Sequence, residues 1–291
     1  MNKFKTNIIN IYGERGKNWL KELPDFIASL AKKYGLSELS PVPHLSYNYV
    51  LSGFQNDTPI VLKLGLDVAC LKQEAIALKV FAGFGAVKIL AEEDGVLILE
   101  RVLPGDSLES YFPSKDDEAI RIAASVMKHL HQAPVLVTGT FPHIRDWLEV
   151  LDKEYDIPIN YLQKARHLRD QLLQTTEKEV LLHGDLHHDN ILKNGDEWVI
   201  IDPKGVIGDP AYETAAFIRN PMPGLLLSAE AVSIIKNRIT TFAKLLDLPE
   251  NRILDWCFVQ AVLAWVWALE DKCDTGYWKQ ITEIFDKIKR A

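Results

Sequence analysis

One short segment concentrates side chains that could do chemistry: His183-Gly184-Asp185-Leu186-His187-His188-Asp189-Asn190, followed by an apolar run that ends at Asp202. Asp185 and Asn190 form an Asp-x-x-x-x-Asn pattern. Asp202 comes after a tight turn at Asn194-Gly195-Asp196 and the strand-like Trp198-Val199-Ile200-Ile201. A base candidate and two oxygen donors suited to Mg²⁺ therefore fall on adjacent loops of one hairpin. Moving a γ-phosphoryl group needs that set: a positioned metal, and a base aimed at a hydroxyl. Asp185 is the base candidate, with Gly184 before it permitting an unusual backbone angle. Asn190 and Asp202 are the metal candidates, because Mg²⁺ takes only one or two protein oxygens and fills its shell with water and phosphate. His183 and His187 suggest a zinc helix by spacing, but the glycine between them and the strand that follows point to a loop. Those histidines are expected to orient the loop by hydrogen bonds to backbone or to Asp202.

The elements that must position this segment lie on both sides of it. Lys63 is the one charge in Ile60-Val61-Leu62-Lys63-Leu64, and a lysine in an apolar strand needs a partner. Glu74, on the helix that follows, can supply it, and a phosphate can share it. Ser46, in Ser46-Tyr47-Asn48, occupies the place of a phosphate-covering loop without a G-x-G-x-x-G pattern. Glu100-Arg101-Val102 follows the last strand of this region, where the backbone of Glu100 and Val102 could meet an adenine ring. A helix is expected over residues 24–34, ended by Gly35, then strands over 44–51 and 59–64, a helix over 69–81, and strands over 87–90 and 96–99. After Pro104-Gly105, with Ser107 as an N-cap, the chain reads as helical over 116–132, 144–155 and 159–175, and again over 229–246 and 252–289. The expected organisation is an α+β protein: residues 1–100 a small antiparallel-sheet nucleotide-binding lobe, 101–106 a linker, and 107–291 a larger helical lobe. A cleft between two such lobes is a usual ligand site.

Bulk properties narrow the classes. The chain has 291 residues, 47% of them hydrophobic, which is enough for one large or two small cores. With 33 basic and 40 acidic residues the net charge is −7, and no basic stripe suggests nucleic acid. Three dispersed cysteines, Cys70, Cys257 and Cys273, argue for a reducing compartment and against a disulfide framework. The first residues lack a signal-peptide core, and the most apolar run, 258–269, is shorter than the roughly 20 residues of a membrane span. A cytoplasmic protein with no membrane partner is expected; the sequence is silent on oligomeric state.

The run from Leu182 to Leu192, with Trp198-Val199-Ile200-Ile201-Asp202-Pro203-Lys204-Gly205-Val206-Ile207-Gly208, resembles the aminoglycoside phosphotransferases, and in particular their streptomycin 6-kinase and hydroxyurea-phosphotransferase branch. The specific motifs cover mainly residues 181–208. The resemblance implies a protein-kinase-like fold, ATP and Mg²⁺ as cofactors, Asp185 as catalytic base, Asn190 and Asp202 as metal ligands, and Lys63, held by Glu74, as the α/β-phosphate contact. It implies O-phosphorylation of a small cationic molecule, an aminoglycoside such as streptomycin, with hydroxyurea as a related acceptor. A metabolic kinase for a sugar, amino alcohol or amino acid, and a non-catalytic nucleotide-binding protein, are the alternatives. A polycationic acceptor needs carboxylates, and the candidates are Asp209, Glu213, Glu270 and Asp271, with Asp274 nearby. Acidic residues at the end of the apolar helix carrying Trp265 and Trp267 oppose its dipole, which points to a functional reason for Glu270-Asp271.

Overall fold

A computed structural model describes residues 2–43, 45–135 and 139–288; His44 and Lys289, which end two of the expected elements, lie outside the described residues. The chain divides into two compact units, one running through Ala82 and resuming over Ala86–Gly105, the other made of Gly83–Gly85 and the chain from Asp106 onward. Residues 83–85 go with the second unit because Ile200 N–H donates to Gly85 O at 2.7 Å and the Phe84 ring meets His129 edge-on at 5.9 Å.

The first unit opens with α1 (Asn2–Tyr34), interrupted at Gly13, whose backbone is left-handed at φ 56°. The expected helix over 24–34 is therefore only the end of a much longer element. Strand β1 (Leu36–Pro41), also unexpected, is followed by β2 (Tyr49–Gln55), β3 (Thr58–Leu64), α2 (Val68–Val80), β4 (Ile89–Glu93) and β5 (Val96–Glu100). The five strands form an antiparallel sheet in the order β1-β2-β3-β5-β4. Asn56 and Asp57, both at positive φ, close the two-residue β2–β3 turn, a conformation these residues tolerate well.

Register decides which face each side chain serves. Leu62 lies opposite Leu51 and Ile98, and Leu64 opposite Val96. With Ile60 they form one apolar face, packed under Leu23 and Leu30 of α1 and Leu36 of β1. Burying each such side chain stabilises the unit by about 1.5–3 kcal/mol. Lys63 is one residue out of phase, opposite Val50 and Leu97, so it projects from the other face, where Glu74 of α2 meets it. Asp67 caps α2 by accepting from Cys70 N–H at 3.0 Å, which fixes where the helix starts and hence where Glu74 falls.

Strand β6 (Pro104–Ser107) leads into the second unit, and Ser107 caps a short 3₁₀ turn, Leu108–Tyr111. Then follow α3 (Asp116–Leu130), α4 (Ile144–Leu148), α5 (Ile159–Gln174), β7 (Val180–Leu182), the hairpin β8 (Ile191–Asn194) and β9 (Glu197–Ile200), β10 (Val206–Gly208), α6 (Pro210–Ile218), α7 (Gly224–Leu227), α8 (Ala231–Leu246), α9 (Glu250–Glu270) and α10 (Gly276–Lys287). Strand β7 pairs antiparallel with β10, so the segments before and after the motif hairpin run side by side. Helix α9 is the centre, packed on α5, α6, α8 and α10. It is longer than the apolar run in the sequence suggests, and long and apolar enough on composition alone to cross a membrane. Yet 78% of its most apolar stretch is buried inside the protein, which is the environment of a core helix. The continuous helical region expected over 252–289 is broken after Glu270. Lys272 N–H donates to Leu269 O and Cys273 N–H to Ala268 O, with Lys272 left-handed at φ 55°, a Schellman stop.

A buried arginine ties the outer helices together. Arg238 of α8 is fully buried and holds Asp116, in the first turn of α3, with two N–H donors at 2.9 and 2.5 Å. It also donates to the carbonyls of Phe217 and Ile218 at 3.1 Å and to that of Asn220, the open end of α6. Arg238→Met leaves a partly buried carboxylate and three carbonyls without this donor, and urea unfolding is expected to show a loss of about 3 kcal/mol; a variant as stable as the parent would show that the clamp does not hold α3, α6 and α8 together.

Candidate active site

Strand β7 delivers the motif segment and two hydrogen bonds set its direction. The Glu213 carboxylate on α6, 1% exposed, accepts from His183 N–H at 2.6 Å and from Gly184 N–H at 3.0 Å. The buried His183 ring bridges the loop: its Nδ1 accepts from Asp185 N–H at 3.2 Å while Nε2 reaches Ile201 O at 2.8 Å. A ring that accepts at Nδ1 must carry its proton on Nε2 to donate to a carbonyl, so His183 is the neutral Nε2–H tautomer. Burial, the largest effect on it, pushes its pKa below the ordinary histidine value against the pull of Glu213. Gly184 sits at φ 85°, and a Cβ there would lie 2.9 Å from Trp147 and 3.0 Å from Val206. Both the backbone angle and the space require glycine.

Asp185 and Asn190 are brought together. Asn190 Nδ2 donates to Asp185 O at 2.9 Å across a loop closed by His187 N–H to Asp185 O and Asn190 N–H to His187 O, both 3.0 Å. With its nitrogen committed, Asn190 has its amide oxygen as the donor to offer a cation. Asp202 is joined to the same loop through its neighbour, since Ile201 N–H donates to Asn190 O at 3.1 Å. Asp202 itself is left-handed at φ 64°, a backbone uncommon for a residue with a Cβ and one that aspartate tolerates better than most. Around the half-buried Asp185 carboxylate stand His187, with Nε2 3.8 Å from Oδ2, and Arg219, with Nη2 3.7 Å from Oδ1. Burial alone would raise this carboxyl, but His187, Arg219 and Lys204 outweigh it and hold its pKa below the usual carboxylate range. It is therefore an ionised acceptor at neutral pH.

In the first unit, Lys63 Nζ meets both oxygens of Glu74, at 2.9 and 2.7 Å, with each side chain only 8% exposed. Ser46 is exposed, and its carbonyl accepts from Asn7 Nδ2 at 3.1 Å. Glu100 N–H donates to Lys88 O at 2.9 Å, so that donor is already spent, and the Glu100 carboxylate accepts from Lys88 N–H at the same distance. Val102 is buried.

The carboxylates expected to face a cationic acceptor separate into two kinds. Asp209 and Glu213 are not available to one. Asp209, 3% exposed, caps α6 by accepting from Ala211 N–H, and its Oδ2 takes Arg252 Nε and Trp256 Nε1, both at 2.6 Å. Glu213 is consumed by the loop it supports. Glu270 and Asp271 are exposed at the end of α9, with Tyr155 donating to Glu270 at 2.7 Å. Trp267 is 39% exposed and meets Trp147 edge-on at 6.1 Å, so an aromatic pair joins this helix end to the residue beside Gly184. Trp147 and Arg219 were not singled out by sequence. Each reads as an ordinary member of its helix until the fold sets it beside the loop. Among the described residues no group of three or more His, Cys, Asp or Glu could hold a metal ion.

The family model described as aminoglycoside/hydroxyurea antibiotic resistance kinase matches residues 44–272. A streptomycin 3''-kinase of Klebsiella pneumoniae is 28% identical, over 77% of this chain and 85% of that protein. A streptomycin 6-kinase of Streptomyces griseus is 25% identical over 89% and 87%, and a hydroxyurea phosphotransferase of Kitasatospora aureofaciens 27% over 89% and 77%. Among solved structures, a choline kinase from Streptococcus pneumoniae superposes with a TM-score of 0.68 at 14% identity, covering 92% of this chain and 100% of that one. The aminoglycoside phosphotransferase APH(4)-Ia gives 0.67 at 15%, covering 92% and 97%. At such identities the likeness concerns the fold: protein-kinase-like, with an antiparallel-sheet N-terminal part and a helical C-terminal part.

Two buried histidines make stability pH-dependent. Burial, then Arg238 and His187, hold His188 well below the ordinary value, and its ring stacks on Phe217 at 3.8 Å. His183 and His188 stay neutral when folded but take up protons when unfolded. Their neutrality is thus costless above about pH 6.5 and increasingly unfavourable to the folded state as pH falls below it. The melting temperature is expected to drop between pH 7 and pH 5, and less steeply in His188→Phe; equal slopes in the two proteins would exclude His188 from this effect.

Proposed function

The chain belongs to the aminoglycoside/hydroxyurea antibiotic resistance kinases, and from that premise we propose that it phosphorylates a hydroxyl of an aminoglycoside such as streptomycin, using ATP and Mg²⁺. The observation that carries the reading is Asp185: an ionised carboxylate on a loop clamped by Glu213 and His183, with Asn190 fixed on its own carbonyl. Two relatives named for streptomycin and one for hydroxyurea, each matched over most of its length, support the acceptor class. Structures of a thermostable mutant of APH(4)-Ia in ternary complexes with ADP or AMP-PNP and hygromycin B support an adenine nucleotide as donor.

In this reading Asp185 accepts the proton of the acceptor hydroxyl. The acceptor oxygen bonds to the γ-phosphorus while the bond from that phosphorus to the bridging oxygen of ADP breaks, and the proton passes from Asp185 to solvent. Lys63, oriented by Glu74, contacts the α/β-phosphates as a fixed point charge. The Asn190 amide oxygen and the Asp202 carboxylate fit Mg²⁺, being two oxygen donors with no competing soft ligand, and would hold it. Bound there, Mg²⁺ would neutralise phosphate charge and keep the γ-phosphoryl group electrophilic. Glu270 and Asp271 remain as carboxylates that can meet a cationic acceptor. We place the activity in the cytoplasm, with nucleotide and a small molecule as partners and no role for nucleic acid or membrane. The net charge of −7 and the burial of α9 support that.

An ADP-release assay with streptomycin, other aminoglycosides, hydroxyurea, choline and simple sugars tests the reading directly, and turnover with streptomycin is expected. Turnover with choline or a sugar alone would replace the acceptor class and keep the chemistry. Asp185→Asn is expected to lower kcat by roughly 10²–10⁴-fold while nucleotide still binds. An Asp185→Asn enzyme with parental kcat would remove Asp185 from the base role. Asp202→Ala is expected to lose Mg²⁺-dependent nucleotide binding in calorimetry, and an unaltered Mg²⁺ dependence would remove Asp202 from the metal site.

A further inference from the structure

Helix α6 ends at Arg219, which is 8% exposed and held from several sides. Its Nη1 donates to Gln260 Oε1 at 2.6 Å, and Gln260 is fixed in turn by donating to Tyr212 O at 2.5 Å. The Trp278 ring lies 5.8 Å from the guanidinium carbon, and the Tyr277 hydroxyl donates to the Arg219 carbonyl. Burial pushes Tyr277 up to about 12, so that donor keeps its proton. A cation suits a helix C-terminus, which accounts for an arginine at this place in the chain. It does not account for where the guanidinium points. Nη2 stands 3.7 Å from Asp185 Oδ1, an ion-pair separation too long for a hydrogen bond, and Nε has no hydrogen-bond partner among the described residues. A guanidinium carries five N–H donors in a fixed fork. Here the fork is anchored at one tip, Nη1, while the buried Nε is unspent and Nη2 faces the carboxylate that would take the acceptor's proton.

We propose that Arg219 contacts the acceptor: its unspent N–H donors hold the reacting oxygen against Asp185. The inference rests on the kinase reading of the site. As the hydroxyl proton moves to Asp185 and the new O–P bond forms at the expense of the bond to ADP, negative charge gathers on the attacking oxygen. A guanidinium already fixed there stabilises that charge without reorganising.

Arg219→Gln and Arg219→Lys, each checked by thermal unfolding, test this with streptomycin and hydroxyurea as acceptors and with water as acceptor in slow MgATP hydrolysis. Arg219→Gln is expected to lower kcat roughly 10²-fold with every acceptor, water included, to raise the acceptor KM and to leave the KM for ATP unchanged. Arg219→Lys is expected to recover part of the loss. Parental kcat and acceptor KM in Arg219→Gln overturn the proposal, and so does a loss that appears equally in the KM for ATP and follows the fall in melting temperature. If Arg219→Gln does not fold, Trp278→Leu, which removes the ring under the guanidinium, is expected to give the same split in weaker form, and parental kinetics there overturn it as well. A parent protein that consumes no ATP with any acceptor or with water overturns the kinase reading and this one with it, a result distinct from an active parent indifferent to Arg219.

Discussion

Two backbone N–H groups, those of His183 and Gly184, converge on the carboxylate of Glu213, and the geometry of the motif loop depends on that convergence. An apolar contact tolerates sliding and rotation; a carboxylate buried among backbone donors does not, because losing either bond exposes the desolvation cost of the charge. Helix α6 repeats this device along its length. Asp209 fixes its start against Arg252 and Trp256, and Arg238 gathers the carbonyls at its end. The loop is thus referenced to a helix that cannot shift without breaking several charge-assisted bonds at once. Positioning to within a fraction of an ångström is what the proton-accepting role proposed for Asp185 requires.

The Lys63–Glu74 pair obeys the same rule in the other unit. Lys63 is carried out of phase with the leucines around it by strand register, and Glu74 is placed by the Asp67 cap and the helical turn. Neither charge has water to fall back on, so each fixes the other's rotamer. The sheet's other face packs under α1.

What sequence revealed and what it hid follow from the range of the interactions. The loop that joins Asp185 to Asn190 was legible because one short segment carries both, and the Lys63–Glu74 pair because a lysine among Ile60, Leu62 and Leu64 demands a partner. The first two-thirds of α1 were hidden by Gly13, Gly16 and Pro24, which read as breaks, although Phe4 and Ile8 bury themselves as helix residues do. Strand β1 was hidden at the sheet edge by its polar residues and an irregular register between Ser37 and Ser40. Asp209 and Glu213 read as substrate contacts in the sequence because the partners they have in the fold are remote in the chain: Arg252 and Trp256 for one, the N–H groups of His183 and Gly184 for the other. Local spacing contains no record of such pairings. The end of α9 failed differently. A lysine in the left-handed position of a Schellman stop has no glycine to announce it.

The backbone at Asp202 has one more implication. A left-handed angle is free for glycine and mildly costly for aspartate. On the metal role proposed for this carboxylate, glycine at the position would keep the backbone and surrender the cation, so foldability and the proposed chemistry ask for different residues there.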